Sequence, residues 1–183
     1  MRPAAAMWIL LLLCWGCDDP PAGDPIFHPA GQKALRPATS DPAMLAVKGE
    51  TYVPVYSNIY WGRTDSVTEL SATLSVRNAD QKRPLTLTRV DYYDSRGKLI
   101  RQYLDAPVEL EAMGTVEWVI EQRDTEGGSG ANFVVGWGAP GAVAKPVMES
   151  IMLGHIGSFG ISFVSEGRPI EVAEPAATPA PAE

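Results

Sequence analysis

The sequence predicts an all-β protein, an immunoglobulin-like β-sandwich of about 7–9 strands, with a small β-barrel as the alternative. Three observations lead there. Apolar and polar residues alternate along several short runs, the period of a half-buried strand. Polar or glycine-bearing turns separate those runs, and no stretch of the central region repeats apolar residues at helical spacing.

Tyr52–Tyr56 starts the domain, and Pro54 confines it to a sheet edge because proline has no N–H for a ladder. Leu70–Val76 is the clearest strand. Leu70, Ala72, Leu74 and Val76 share one face, and Ser71, Thr73 and Ser75 the other. Residues 79–84 then form a polar turn. From Leu85 to Tyr93 the apolar phase switches from Leu85/Leu87 to Val90/Tyr92, which predicts a β-bulge near Arg89. Asp94-Ser95-Arg96-Gly97 is a turn with glycine where positive φ is needed. Lys98–Leu104 returns, so residues 85–104 read as a hairpin. Val116, Trp118 and Ile120 mark another one-sided strand, followed by Asn132–Trp137, Val147–Leu153 and Gly160–Val164.

The flanks differ in kind. Arg2 precedes an unbroken apolar run, Met7 to Leu13, which suits a signal sequence but is too short to cross a bilayer, where about 20 residues are needed. Cys14-Trp15-Gly16-Cys17 follows, resembling the lipobox of bacterial lipoproteins. That resemblance implies cleavage after Gly16 and acylation of Cys17. Cys14 and Trp15 depart from the usual Leu and small residue at their places. The alternative is ordinary cleavage near Ala22-Gly23, leaving a soluble periplasmic or secreted protein. Residues 17–50 are rich in proline and read as a flexible tether. Residues 51–172 form the domain, and residues 173–183 are an Ala/Pro tail with nothing to pack.

The net charge is −7, and loss of residues 1–16 removes one cation, leaving 14 Lys and Arg against 22 Asp and Glu. This balance excludes nucleic acid as a partner, because phosphate binding needs clustered cations. Both cysteines, Cys14 and Cys17, precede the domain, which therefore has no disulfide, thiolate ligand or cysteine nucleophile.

Several pieces of the domain together resemble one family. They are Tyr52-Val-Pro-Val-Tyr-Ser57 with Ile59-Tyr60, Leu74-Ser-Val-Arg-Asn78, and Val90-Asp-Tyr-Tyr-Asp-Ser95 with Gly97. Gly127-Gly-Ser-Gly-Ala-Asn-Phe133 with Trp137, and Gly160-Ile-Ser-Phe163, complete the set. The combination resembles DUF3124 over about residues 50–167. The resemblance implies an exported bacterial protein and no particular activity.

The most unusual segment is Asp124 to Asn132. Gly127, Gly128 and Gly130 free the backbone, and consecutive amides there can form an anion-binding nest. Asp124, Glu126 and Asn132 offer oxygens for Ca²⁺, and Ser129 lies between them. The plainer reading is a hairpin connection. The segment matches neither a P-loop nor an EF-hand. His155 is the one histidine inside the domain, and Ser129 or Ser158 with Asp124 would complete a triad, but no nucleophile elbow is present. Met148 and Met152 read as core rather than copper ligands. Asp91 and Asp94 flank Tyr92-Tyr93, and these tyrosines read as cross-strand packing. Tyr52, Tyr56, Tyr60 and Trp61 form either a recognition patch or a seal on the sandwich end.

The functional expectation is an envelope-tethered lipoprotein whose domain is a non-catalytic binding or structural module, with no cofactor and no metal. Its partners are the membrane, through the lipid anchor, and an envelope protein or small ligand. A cell-envelope hydrolase and a metal-binding module using the 124–132 loop are the alternatives.

Overall fold

Strands form where side chains can bury one row and leave the next in water. A computed structural model describes residues 34–171. The predicted signal 1–16, Cys17, the first part of the tether and the 173–183 tail lie outside the described residues. Among those described, the strands are β1 (Leu35–Pro37), β2 (Val47–Pro54), β3 (Asn58–Trp61), β4 (Arg63–Arg77), β5 (Leu85–Tyr93) and β6 (Leu99–Gln102). They continue with β7 (Val108–Leu110), β8 (Thr115–Ile120), β9 (Asn132–Ala139), β10 (Val147–Ile156), β11 (Phe159–Glu166) and β12 (Arg168–Pro169).

They build two antiparallel sheets. The seven-stranded sheet runs β1-β7-β5-β9-β2-β12, with β6 also on β5. The five-stranded sheet runs β11-β10-β4-β3, with β8 also on β4. Neither closes on itself, so the fold is a β-sandwich and not a barrel. The count exceeds the expected 7–9 because β1, β3, β7 and β12 are only two to four residues long. A period of two has no room to show in so short a run.

The inner faces carry the core. Leu70, Ala72, Leu74 and Val76 of β4 are buried, as are Val116, Trp118 and Ile120 of β8. Facing them are Leu85, Leu87, Val90 and Tyr92 of β5 and Phe133, Val135 and Trp137 of β9. Tyr92 and Phe133 pack with ring centroids 5.1 Å apart, and Tyr103 meets Trp118 edge-on at 6.3 Å. Met148 and Met152 are core residues too, as their shared strand face requires.

The phase switch in β5 is a real irregularity: its register against β9 shifts between Leu87 and Arg89. The displaced Thr88 lies over Gly136, where a Cβ would approach its hydroxyl to 2.6 Å. The turn at Asp94 forms as expected. Gly97 has φ +77°, and the Asp94 carboxylate accepts from the Arg96 and Lys98 amides at 2.8 and 2.9 Å.

Two boundaries differ from the sequence reading. The expected tether ran to residue 50, yet β1 and the first half of β2 lie within it. Leu35 pairs with Leu110 of β7, a partner 75 positions away that local composition does not reveal. Pro37 is tolerated because β1 is an outer strand. The edge expected at Tyr52–Tyr56 is also corrected. β2 pairs with β9 along its length, and β12 covers it at Thr51 and Tyr52. Pro54 ends the strand beyond the reach of β12, so its missing N–H breaks no ladder.

Candidate functional site

The 124–132 loop joins β8 to β9 and is stapled by two serines from elsewhere. Ser57 donates its amide to the Gly128 carbonyl at 3.1 Å, while its hydroxyl accepts from the Gly128 amide at 2.7 Å. The Ser95 hydroxyl accepts from the Gly130 amide at 2.8 Å and donates to the Gly127 carbonyl at 2.9 Å. Val55 and Ser95 donate their own amides to Ala131 and Gly127 carbonyls at 2.9 Å. The amides of Gly128 and Gly130 therefore bind hydroxyls of the fold. Gly127 is glycine because a Cβ there would overlap the Tyr92 hydroxyl, and Gly128 because its φ is +75°. Burial, then the charge of Asp124, pushes the Tyr92 hydroxyl well above the usual phenol range.

The loop's oxygens do not share one centre. Asp124 pairs with Arg101 at 3.7 Å and accepts weakly from the Glu126 amide at 3.3 Å. The Glu126 side chain is exposed. Asn132 stands at the start of β9, opposite Pro54 on one side and Tyr93 on the other. Ser129 is half-buried. Among the described residues no three His, Cys, Asp or Glu side chains are grouped to hold a metal ion.

His155 sits on the outer face of β10 opposite Gly160, with Trp61, Ser66, Glu69 and Gln122 around a shallow hollow. Asp124, proposed as its orienter, faces Arg101 instead. Asp91 accepts from the Tyr93 hydroxyl at 3.4 Å and faces Arg89 at 3.6 Å, while Asp94 serves its own turn. The aromatic group near the domain start divides. Tyr56 packs edge-on against Phe163 at 5.6 Å, whereas Tyr60 and Trp61 are more than half exposed.

A further hollow among the described residues lies at the start of β2, between it and the first residues of β10. It holds about 340 Å³, at the small end of the range for ligand sites. Its floor is Trp137, opposite Gly49 in the β2–β9 ladder. The indole lies across this glycine, where a Cβ would come within 2.6 Å of the ring, and its N–H donates to Thr51 at 3.3 Å. Val143, Met148 and Ile170 supply apolar walls, and Lys48 and Lys145 line the same hollow. The Glu50 carboxylate, also in the lining, pairs with Arg89 at 2.8 Å. Sequence reading placed Trp137 in a strand and among the residues of the family resemblance, but in no site. The available signal was its flanking by Gly136 and Gly138 with a strand glycine, Gly49, far upstream, but nothing local pairs position 49 with 137.

The fold and this hollow define a β-sandwich domain with one pre-formed, largely apolar recess and no assembled catalytic group among the residues described. The chain belongs to the family DUF3124, proteins of unknown function, whose pattern matches residues 48–170. No curated protein is significantly similar to it in sequence. A solved structure from Thermotoga maritima, of its protein 1070, aligns at 11% identity and a TM-score of 0.41, covering 66% of this chain and 92% of that one. A likeness at that level carries no argument about function.

Proposed function

We propose that the chain is a lipid-anchored envelope protein whose sandwich is a non-catalytic binding module. Its ligand is a small molecule with an apolar body and an anionic head, held in the Trp137 hollow. The observation that carries this reading is the indole laid over Gly49 as a flat apolar floor, with Lys48 and Lys145 among the residues that line the hollow. Lys48 donates to the Ala43 carbonyl at 3.5 Å, and among the described residues neither lysine forms an ion pair with a carboxylate, in a chain of net charge −7. Aromatic surface contributes apolar contact at low entropic cost, and an ammonium pair selects a carboxylate or phosphate over a neutral head. The anchor rests on the apolar run before Cys17 and the lipobox resemblance.

The test titrates the full chain with decanoate and with decanol, following heat and tryptophan fluorescence. Decanoate is expected to bind with a Kd below about 1 mM, and decanol at least tenfold more weakly. Trp137→Ala should abolish binding, and Lys48→Glu with Lys145→Glu should weaken decanoate alone. Equal binding of both probes overturns the anionic head, and binding indifferent to Trp137→Ala overturns the site. Palmitate labelling that persists in Cys17→Ser overturns the anchor.

A further inference from the structure

Most sheet edges of this domain are blunted in the ways that prevent strands from adding to them. β1 has three residues including Arg36 and Pro37, and β12 is only Arg168 and Pro169. β3 and β6 have four residues each, and β8 carries Glu117 at its centre. β11 is different. Among the described residues it is an outer strand paired with β10 alone, eight residues long, free of proline, and its one charge is the terminal Glu166. In an antiparallel ladder, every second residue of an outer strand turns both its N–H and its C=O to solvent. Beside it, Leu153, Phe159 and Val164 are each at least half exposed.

We propose that β11 pairs antiparallel with β11 of a second copy of this chain, joining two five-stranded sheets across a two-fold axis. The strand is its own complement. Pairing about Phe163 sets Val164 opposite Ser162, Ile161 opposite Ser165, and Glu166 opposite Gly160. No like charges then face each other, which would destabilise a strand pair. The two Glu166 carboxylates end up about six residues apart along the ladder, roughly 20 Å, more than a Debye length of about 8 Å, so salt screens their repulsion. An acidic chain can thus meet itself at this edge. The outer rows also match, because Val164 and Leu153 of one copy continue into those of the other. The same patch closes on itself, so the assembly stops at two.

The experiment places Ser162→Cys and Val164→Cys in the full chain, in membranes from expressing cells. With both changes in one chain, the proposed register sets position 162 of each copy opposite position 164 of the other, within disulfide reach. Mild oxidation is expected to give a linked dimer on a non-reducing gel, while Glu117→Cys on β8 gives none. In detergent, sedimentation should show a dimer whose dissociation constant rises at least tenfold in Val164→Lys, a change on an exposed side chain that leaves the core intact. The proposal is overturned by the absence of the linked dimer, by equal linking through Glu117→Cys, by linking to a different protein, or by a dimer indifferent to Val164→Lys.

Discussion

Asp80 shows how much one carboxylate can organise. It accepts from the Lys82 and Arg83 amides at 2.9 Å and from the Ala144 amide at 3.0 Å, and pairs with the Arg83 guanidinium at 3.0 Å. The neighbouring Asn78 side chain donates to the Arg83, Leu110 and Glu111 carbonyls and accepts from the Asp80 amide. Together they tie the 79–84 turn to the loop before β10. Hydrogen bonds from Lys82 and Ala144 hold the Asp80 carboxyl far below its ordinary value of 3.8. A carboxyl lowered by folding stabilises the fold at pH above its unfolded value, and this contribution fades as pH falls toward the folded one. Asp94, lowered chiefly by the Lys98 amide, adds to the same acid window. Thermal melts between about pH 5 and pH 2 are therefore expected to fall steeply for the native chain. Asp80→Asn should start from a lower midpoint at neutral pH and fall less steeply. Parallel curves would assign the acid sensitivity to other groups.

At the scale of elements, the strands whose inward rows are uninterrupted were legible: Leu70 to Val76, Val116 to Ile120, and the β5 bulge announced by its phase change. Each is a local pattern imposed by burial. What was hidden depends on partners distant in sequence. β1 exists because β7 is beside it, and β2 is interior because β12 folds back. The glycine loop was legible as unusual but not in its purpose. Sequence reading cannot see that Ser57 and Ser95, 71 and 35 positions upstream of Gly128 and Gly130, would occupy those amides. Replacing both serines by alanine removes the acceptors and is expected to cost about 1 kcal/mol each. Hydrogen exchange at Gly128 and Gly130 should accelerate by roughly tenfold, with the β4 and β9 amides protected as before. Unchanged exchange in the loop would mean that the serines follow the loop rather than fix it.

For the molecule as a whole, the proposed binding site and the proposed assembly edge fall at different places. The Trp137 hollow opens between the sheets at the end where β2 begins, and the β11 edge lies along the side of the five-stranded sheet. Neither uses the 124–132 loop, which sits at the opposite end of β9 and is tied there to Ser57 and Ser95. Sequence alone gave the class of fold, because alternation reports which side chains are buried. It missed the hollow, because its floor depends on the Trp137 indole packing on Gly49, a pairing across distant strands that leaves no local pattern.

β1 and β12 end the strand order of the seven-stranded sheet, and the register places residue 34 and residue 171 at the same end of it. That arrangement sets how the domain responds to mechanical load. Tension applied between the two chain ends pulls each outer strand away across its ladder, so hydrogen bonds break one after another rather than together. Stretching the chain between optically trapped beads is expected to peel β1 and β12 at low force before the core yields. A single high-force rupture would show that the ends are clamped in shear. A domain held by both ends would thus lose its margins first and keep its packed interior, acting as a yielding link rather than a rigid one.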